Sequence, residues 1–226
     1  MFDIIFISYN EPNAIENFTK LKQRFPLVKH VHGVKGIHQA HIAAAKRSFS
    51  PMFWVVDADA VILDTFNFDF SLTKEEYDIV HVWRSRNPVN GLEYGYGGVK
   101  LLAKKLTLDM DVTSTDMTMN ISPKFKAMEE VSNITAFNID PFSTWRSAFR
   151  ECCKLAVTNN AESIDRLNVW CTINDAVPYG YYAYLGALAG KSYGEKNASN
   201  KEALNKINDF TWLEDRWLAE KSQLSL

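Results

Sequence analysis

The chain opens on an unbroken apolar run, Asp3-Ile4-Ile5-Phe6-Ile7-Ser8, the pattern of a strand buried on both faces. Ile15, Phe18 and Leu21 then recur at helical spacing behind Asn13, a residue suited to capping a helix, and the pattern stops before Pro26. Val28 to His32 reads as a short second strand closed by Gly33, and the alanine-rich stretch from Ile37 to Ser48 as a second helix. Phe53-Trp54-Val55-Val56 is again continuous and apolar, with Asp57-Ala58-Asp59 at its C-terminal end. Strand, helix, strand, helix, strand with short links predicts a parallel sheet covered by helices. Asp78 to Trp83, Gly98 to Leu102 and Ile134 to Asn138 are further strand candidates, of mixed direction. Beyond them Trp145, Phe149, Cys152 and Ala156 share one helical face, and Leu204, Ile207, Trp217 and Leu218 suggest a closing helix. The expected architecture is α/β: a mixed, mostly parallel sheet flanked by helices, with a helical C-terminal part.

Composition narrows the class. A chain of 226 residues that is 46% hydrophobic can bury a sizeable core, and we expect one domain over 1–226, with a ligand-binding half at 1–102 and a second half at 103–226. Lys plus Arg is 25 and Asp plus Glu is 27, a net charge of −2 that argues against a polybasic nucleic-acid binder. No apolar run approaches the roughly 20 residues of a membrane helix. The start, Met1-Phe2-Asp3-Ile4, has no basic leader region, and three cysteines make no disulfide framework, so a cytoplasmic protein without a membrane partner is expected.

Charge is unevenly placed. No acidic residue lies between Glu16 and Asp57, a stretch holding Lys20, Lys22, Arg24, Lys29, Lys35, Lys46 and Arg47. Then the sign reverses, with Asp57, Asp59, Asp64, Asp69, Glu75, Glu76 and Asp78 against Lys74 alone. Two solvated faces would explain this, and so would a polyanion on the basic segment with a cation on the acidic one. The acidic segment begins at Asp57-Ala58-Asp59. Two carboxylates one residue apart, just past a buried strand, point into one crevice when the chain turns there. Hard cations such as Mg²⁺ and Mn²⁺ take oxygen ligands of this kind and leave positions open for phosphate.

In their order and spacing these segments resemble the GT-A fold (Rossmann-like) glycosyltransferases of the family 2 type, over roughly residues 3–102. Ile7-Ser8-Tyr9-Asn10-Glu11 is similar to their first strand and nucleoside loop, and Gly36 to Lys46 to the helix before their metal motif, with His38-Gln39 in place of the usual Arg-Asn pair. Trp54-Val55-Val56-Asp57-Ala58-Asp59 resembles their strand and Asp-x-Asp motif, and Gly95-Tyr96-Gly97-Gly98-Val99 their acceptor-side loop. The stretch from Phe142 to Arg150 is similar to segments of phage-encoded proteins.

The resemblance implies a metal-dependent transfer of sugar from a nucleotide diphosphate sugar to a hydroxyl, with Mn²⁺ or Mg²⁺ on Asp57 and Asp59. Ser8, Tyr9, Asn10, Glu11, Lys35 and Ala58 would complete the donor site, Gly97, Gly98, Trp145 and Arg146 the acceptor side, and Asp116 or Asp140 would be the base of an inverting enzyme. Hydroxymethylated pyrimidine in phage DNA is one acceptor it admits, the basic segment extended by Arg84, Arg86, Lys100, Lys104 and Lys105 tracking the backbone. A protein, lipid or glycan acceptor is the alternative. A nucleotidyltransferase and a non-catalytic binding module are the readings from other classes. The first usually carries a glycine-rich basic loop after its first strand, where this chain has Ser8-Tyr9-Asn10-Glu11-Pro12.

Overall fold

The computed structural model describes residues 2–95, 97–112 and 117–223. Its elements run β1 (Asp3–Ser8), α1 (Ala14–Arg24), β2 (Lys29–His32), α2 (Ile37–Arg47), β3 (Met52–Asp57), β4 (Ala60–Ile62), β5 (Val80–Arg86), β6 (Glu93–Tyr94), β7 (Val99–Ala103), α3 (Lys104–Leu108), α4 (Met117–Ile121), β8 (Phe125–Thr135), α5 (Pro141–Thr158), α6 (Ala161–Trp170), α7 (Gly180–Asn197), α8 (Lys201–Asn205) and α9 (Phe210–Gln223). They form two compact units, residues 1–87 with 93–136, and residues 88–92 with 137–226. A division at 102/103 would cut through β7.

The first unit is built on a sheet of order β2-β1-β3-β7-β5-β8-β4, with β6 paired to β5. The α/β expectation holds as a mixed sheet flanked by helices. The expectation of a mostly parallel sheet does not describe the ladders: β1 is parallel to β2 and β3, and β5 to β8, whereas β3–β7, β5–β7, β4–β8 and β5–β6 are antiparallel. Parallel neighbours need a crossover of a dozen or more residues, which α1 and α2 supply for the first three strands. β7 instead runs back along β3, pairing Val56 with Val99 and Met52 with Ala103.

Alternation along the strands sends successive residues to opposite faces. One face gathers Ile4, Phe6, Trp54, Val56, Trp83 and Leu101 against Ala14 and Leu21 of α1. The other gathers Ile5, Phe53, Val55, Val82 and Leu102 against Ala44 and Ala45 of α2. The stripe of α1 differs from its expected one: Ile15 is 81% exposed, and the buried residues are Ala14, Asn17 and Leu21. Asn17 turns inward because its Nδ2 donates to the Ala58 carbonyl at 2.8 Å. Asn13 makes no side-chain cap and donates instead to the Ala136 carbonyl at 3.2 Å. The strand expected from Ile134 begins much earlier, at Phe125. The first half of β8 is largely exposed, so its sequence carries no apolar signature.

The second unit is helical, as expected, around Trp145, Phe149, Cys153, Ile207, Leu213 and Trp217. Asp140 caps α5: its two carboxylate oxygens accept from the Ser143 amide and hydroxyl, both at 2.7 Å. The contact that organises the unit is α7 on α5. A Cβ at Gly186, Gly190 or Gly194 would stand 2.3, 2.2 or 2.5 Å from the carbonyl oxygen of Trp145, Phe149 or Cys153. Three glycines spaced by four form a stripe on α7, matched by three residues of the same spacing on α5, and the two backbones touch. Among the described residues no helix is long and apolar enough to cross a membrane.

Glycine in a helix interior costs about 1 kcal/mol against alanine, so Gly190→Ala would stabilise α7 if space allowed. At 2.2 Å from a backbone oxygen it does not. The helices must part, and overpacking of this kind costs about 1–3 kcal/mol or more. Gly190→Ala is therefore expected to lower the thermal midpoint. Ser192→Ala, on the exposed side of the same helix, should leave it nearly unchanged. Equal midpoints for the two variants would refute the packing argument.

Candidate functional site

β1, β2 and β3 run parallel, and the chain leaves β1 for β2 on one side and returns to β3 on the other. At such a reversal the loops after the two inner strands diverge and leave a crevice beyond their C-terminal ends. Ile7 pairs with Asp57, so Ser8 to Glu11 and Asp57 to Asp59 border this crevice together. The Asp57 amide donates to the Gly98 carbonyl at 2.9 Å, which brings in the start of β7. Of the residues expected to form the site, Ser8, Tyr9, Asn10, Glu11, Asp57, Ala58, Asp59, Gly97 and Gly98 are thus brought to one strand-end region. Tyr9 is 43% exposed, and its amide donates to the Glu11 carboxylate at 2.7 Å, folding the loop on itself. Lys35 is exposed in the loop before α2.

The residue that defines the crevice is Lys100, anticipated as part of a basic surface. It is only 4% exposed. Register places it between Val55 of β3 and Val82 of β5, on the face covered by α2. A lysine in that position must carry its ammonium to a partner, because an isolated buried charge is too costly. Lys100 Nζ donates to both oxygens of Asp57, at 3.0 and 2.8 Å. Gly97, with φ of +78°, lies where a Cβ would come within 3.1 Å of Lys100 Cε, so the lysine stem runs against bare backbone. At Gly98 a Cβ would meet the Asn133 amide at 2.8 Å. Asn133 is itself held by Ser85 and Ser132, whose hydroxyls donate to its Oδ1 at 2.9 and 2.8 Å.

Charge in the crevice is crowded on the acidic side. Burial pushes the Asp59 carboxyl up to about 6, and the neighbouring charges of Asp57 and Glu11 add to the rise. His41 on α2 is buried, and that burial, together with the charge of Lys100, drives its imidazole down to about 3. It is neutral at physiological pH, with Nδ1 against the Ile37 carbonyl at 2.8 Å and Nε2 buried without a partner among the described residues. Beside the crevice the Ser8 hydroxyl lies 2.7 Å from His30 Nε2 and 2.8 Å from His32 Nδ1. Lys100, His41 and this Ser8-His30-His32 group were missed as site residues. A lone lysine inside Val99-Lys100-Leu101-Leu102-Ala103 was the available signal.

Other expectations resolve differently. Several residues of the basic run are used within the chain. Lys20 pairs with Glu16 and Lys29 with Asp3, each at 2.6 Å, and Arg24 donates to the carbonyls of Leu63, Asp64 and Phe66 at 2.8–3.0 Å. In the second unit, Asp140 is occupied as the cap of α5, and Trp145 is fully buried with its indole N–H on Glu220 at 3.1 Å. Arg146 lies 5.0 Å from the Phe210 ring centroid. Asp116 lies outside the described residues, with Ser114 and Thr115.

The metal expected at Asp57 and Asp59 fits this donor set poorly. Both Asp57 oxygens accept from the Lys100 ammonium, and among the described residues no three His, Cys, Asp or Glu side chains group as ligands. Two recesses lie elsewhere in this unit. One of about 540 Å³, lined by Phe2, Asp3, Phe25, Leu27 and Phe49, is at the opposite end of β1. We place the chemistry at the crevice, where the ends of parallel strands gather the titratable groups.

No family model and no curated protein matches the chain. Solved structures that match include HddC from Yersinia pseudotuberculosis complexed with GMP-PN, at 14% identity and a TM-score of 0.40 over 58% of this chain and 92% of that one. A second HddC structure matches at 17% identity and a TM-score of 0.35, over 57% and 71%. Neither is described as a glycosyltransferase. The expectation of a metal-dependent glycosyltransferase is corrected: the donor set at Asp57 and Asp59, with both Asp57 oxygens accepting from the Lys100 ammonium, departs from what that reaction was expected to use.

The Asp59 shift has a consequence for stability. The carboxyl titrates at about 6 in the folded chain against an ordinary value of 3.8. The folded state therefore holds this proton more tightly than the unfolded state does. Stability falls as pH rises from 3.8 to about 6, and the loss is complete above that range. At 1.36 kcal/mol per unit the loss is roughly 1–3 kcal/mol, the lower values reflecting partial solvent access. Asp59→Asn should then raise the thermal midpoint at pH 7.5 and leave it nearly unchanged at pH 4. A gain of equal size at both pH values would contradict the assignment.

Proposed function

We propose that this chain binds a nucleotide in the crevice beyond β1 and β3 and transfers a group at one of its phosphorus atoms. The observation that carries the reading is Lys100: a buried ammonium fixed at a strand-end crevice, where α/β sheets bind ligands. An ammonium held there is matched to a phosphate. The exposed ring of Tyr9, on the loop bordering the same crevice, offers a stacking surface for a base. Asp59, poised near neutrality, is the group suited to take or give a proton during transfer. Group transfer at phosphorus needs positioning and charge stabilisation above all. Lys100 supplies a fixed positive charge, and Gly97 and Gly98 allow close approach of backbone.

The finer reading of the first unit as a GT-A-like, Rossmann-like arrangement belongs to this proposal as well. It is supported by the parallel order β2-β1-β3 and by the Asp-x-Asp segment at the end of β3, and it concerns chain path alone. The likeness to HddC is too slight to carry over that protein's ligand, and the proposal rests on the crevice.

The test is calorimetric titration of the full chain with the di- and triphosphates of adenosine, guanosine, uridine and cytidine. Saturable binding of at least one is expected. Stacking on an aromatic is worth about 1–3 kcal/mol per base, so Tyr9→Ala should weaken that binding by roughly 5- to 150-fold. Inorganic pyrophosphate should bind the variant and the native chain alike. Absence of any nucleotide binding at millimolar concentration would overturn the reading.

A further inference from the structure

Lys100 stands where the sequence pattern called for a metal ion, and that disagreement has a functional consequence. We propose that the Lys100 ammonium, and not a divalent cation, receives the nucleotide's phosphates, so that the site binds its ligand without metal. The inference rests on the nucleotide reading above and specifies how that ligand is held.

Four observations carry it. First, both oxygens of Asp57 accept from Lys100, at 3.0 and 2.8 Å, so a divalent ion on the same carboxylate would sit beside a buried ammonium. Two positive charges sharing one carboxylate leave each poorly compensated. Second, Lys100 cannot swing away to water. Its stem lies between Val55 and Val82 on a covered sheet face, and the residue is 4% exposed. Third, an ammonium has three donors, and Asp57 accepts two of them. The third has no acceptor among the described residues. Asp57 keeps 35% of its side chain exposed, so the ion pair sits at the crevice floor rather than sealed within the core. Fourth, Gly97 is left-handed at φ of +78° and has no Cβ, which a larger residue would press against Lys100 Cε. The loop is shaped to hold the lysine, and the exposed edge of Asp57 marks where the pair meets the crevice. The neutral His41 on the covering helix adds no competing positive charge.

The test compares binding of the nucleoside diphosphates of adenosine, guanosine and uridine, and of inorganic pyrophosphate, in excess chelator and in millimolar Mn²⁺. Native protein, Lys100→Met and Lys100→Gln are titrated in both buffers, with circular dichroism confirming the folded state. Lys100→Met replaces the buried ammonium with an apolar group of similar length and leaves Asp57 able to reach water, so a folded variant is expected. Lys100→Gln serves if the methionine variant folds poorly. We expect native affinities within about twofold in the two buffers, and a loss of at least tenfold in either variant. Binding that appears only with Mn²⁺, or variants that bind like the native chain, would overturn the inference. Pyrophosphate binding that needs Lys100 but ignores metal, with no preference for nucleosides, would uphold it and refute the nucleotide reading. No binding of any probe in either buffer would overturn both.

Discussion

A single ammonium buried in a sheet sets the terms for everything around it. Lys100 lies on the face that β3, β7 and β5 turn toward α2, among Val55, Val82 and Leu102. No apolar neighbour can compensate its charge, so a carboxylate must stand within reach of its four-carbon stem. Asp57, on the last residue of β3, is that carboxylate. With the pair fixed, a Cβ at Gly97 would crowd the lysine stem, the covering His41 stays neutral, and the next carboxyl along the chain, Asp59, meets a site where the Lys100 charge is already engaged. Removing either partner of a buried pair is expensive, about 3–5 kcal/mol when fully buried and less here because Asp57 reaches water.

The same arrangement shapes the acidic side of the crevice. Asp57, Asp59 and Glu11 interact electrostatically, and repulsion from the other two helps raise Asp59. A metal centre relieves such repulsion by binding every carboxylate to one dication. Here the relief is divided: Asp57 is neutralised by Lys100, Glu11 is turned to the Tyr9 amide, and Asp59 retains its proton to higher pH. The outcome is a crevice whose buried ammonium is paired with Asp57 and whose second aspartate changes charge near neutrality.

The second unit follows different physics. Its stability depends on backbone proximity, with Gly186, Gly190 and Gly194 of α7 lying on Trp145, Phe149 and Cys153 of α5. Aromatic rings then fill the flanks, Trp145 stacking on Phe149 at 4.9 Å between centroids and Trp217 closing at 5.6 Å. Dispersion contacts are individually small and grow with proximity, which is why loss of a methyl group at three positions improves the packing.

Much of the first unit was legible because its strands are buried on both faces and its helices are regular. The runs at 3–8 and 53–56 and the alanine-rich stretch from Ile37 bear their structure in local periodicity, and they placed Asp57 and Asp59 at a strand end correctly. Local pattern also exposed the acidic turn and the helical close of the chain. It was silent on β8, whose exposed half is held by pairing with β5 rather than by apolar burial, and on the glycine stripe of α7, which has meaning only opposite another helix. Above all it did not reveal the partner of Asp57. Lys100 is 43 residues away in the chain, and only the antiparallel return of β7 brings its ammonium to that carboxylate. The sequence by itself determined which chemical groups stand at the ends of the first strands. The tertiary structure decided which of them are already paired, because charge compensation depends on distance in space.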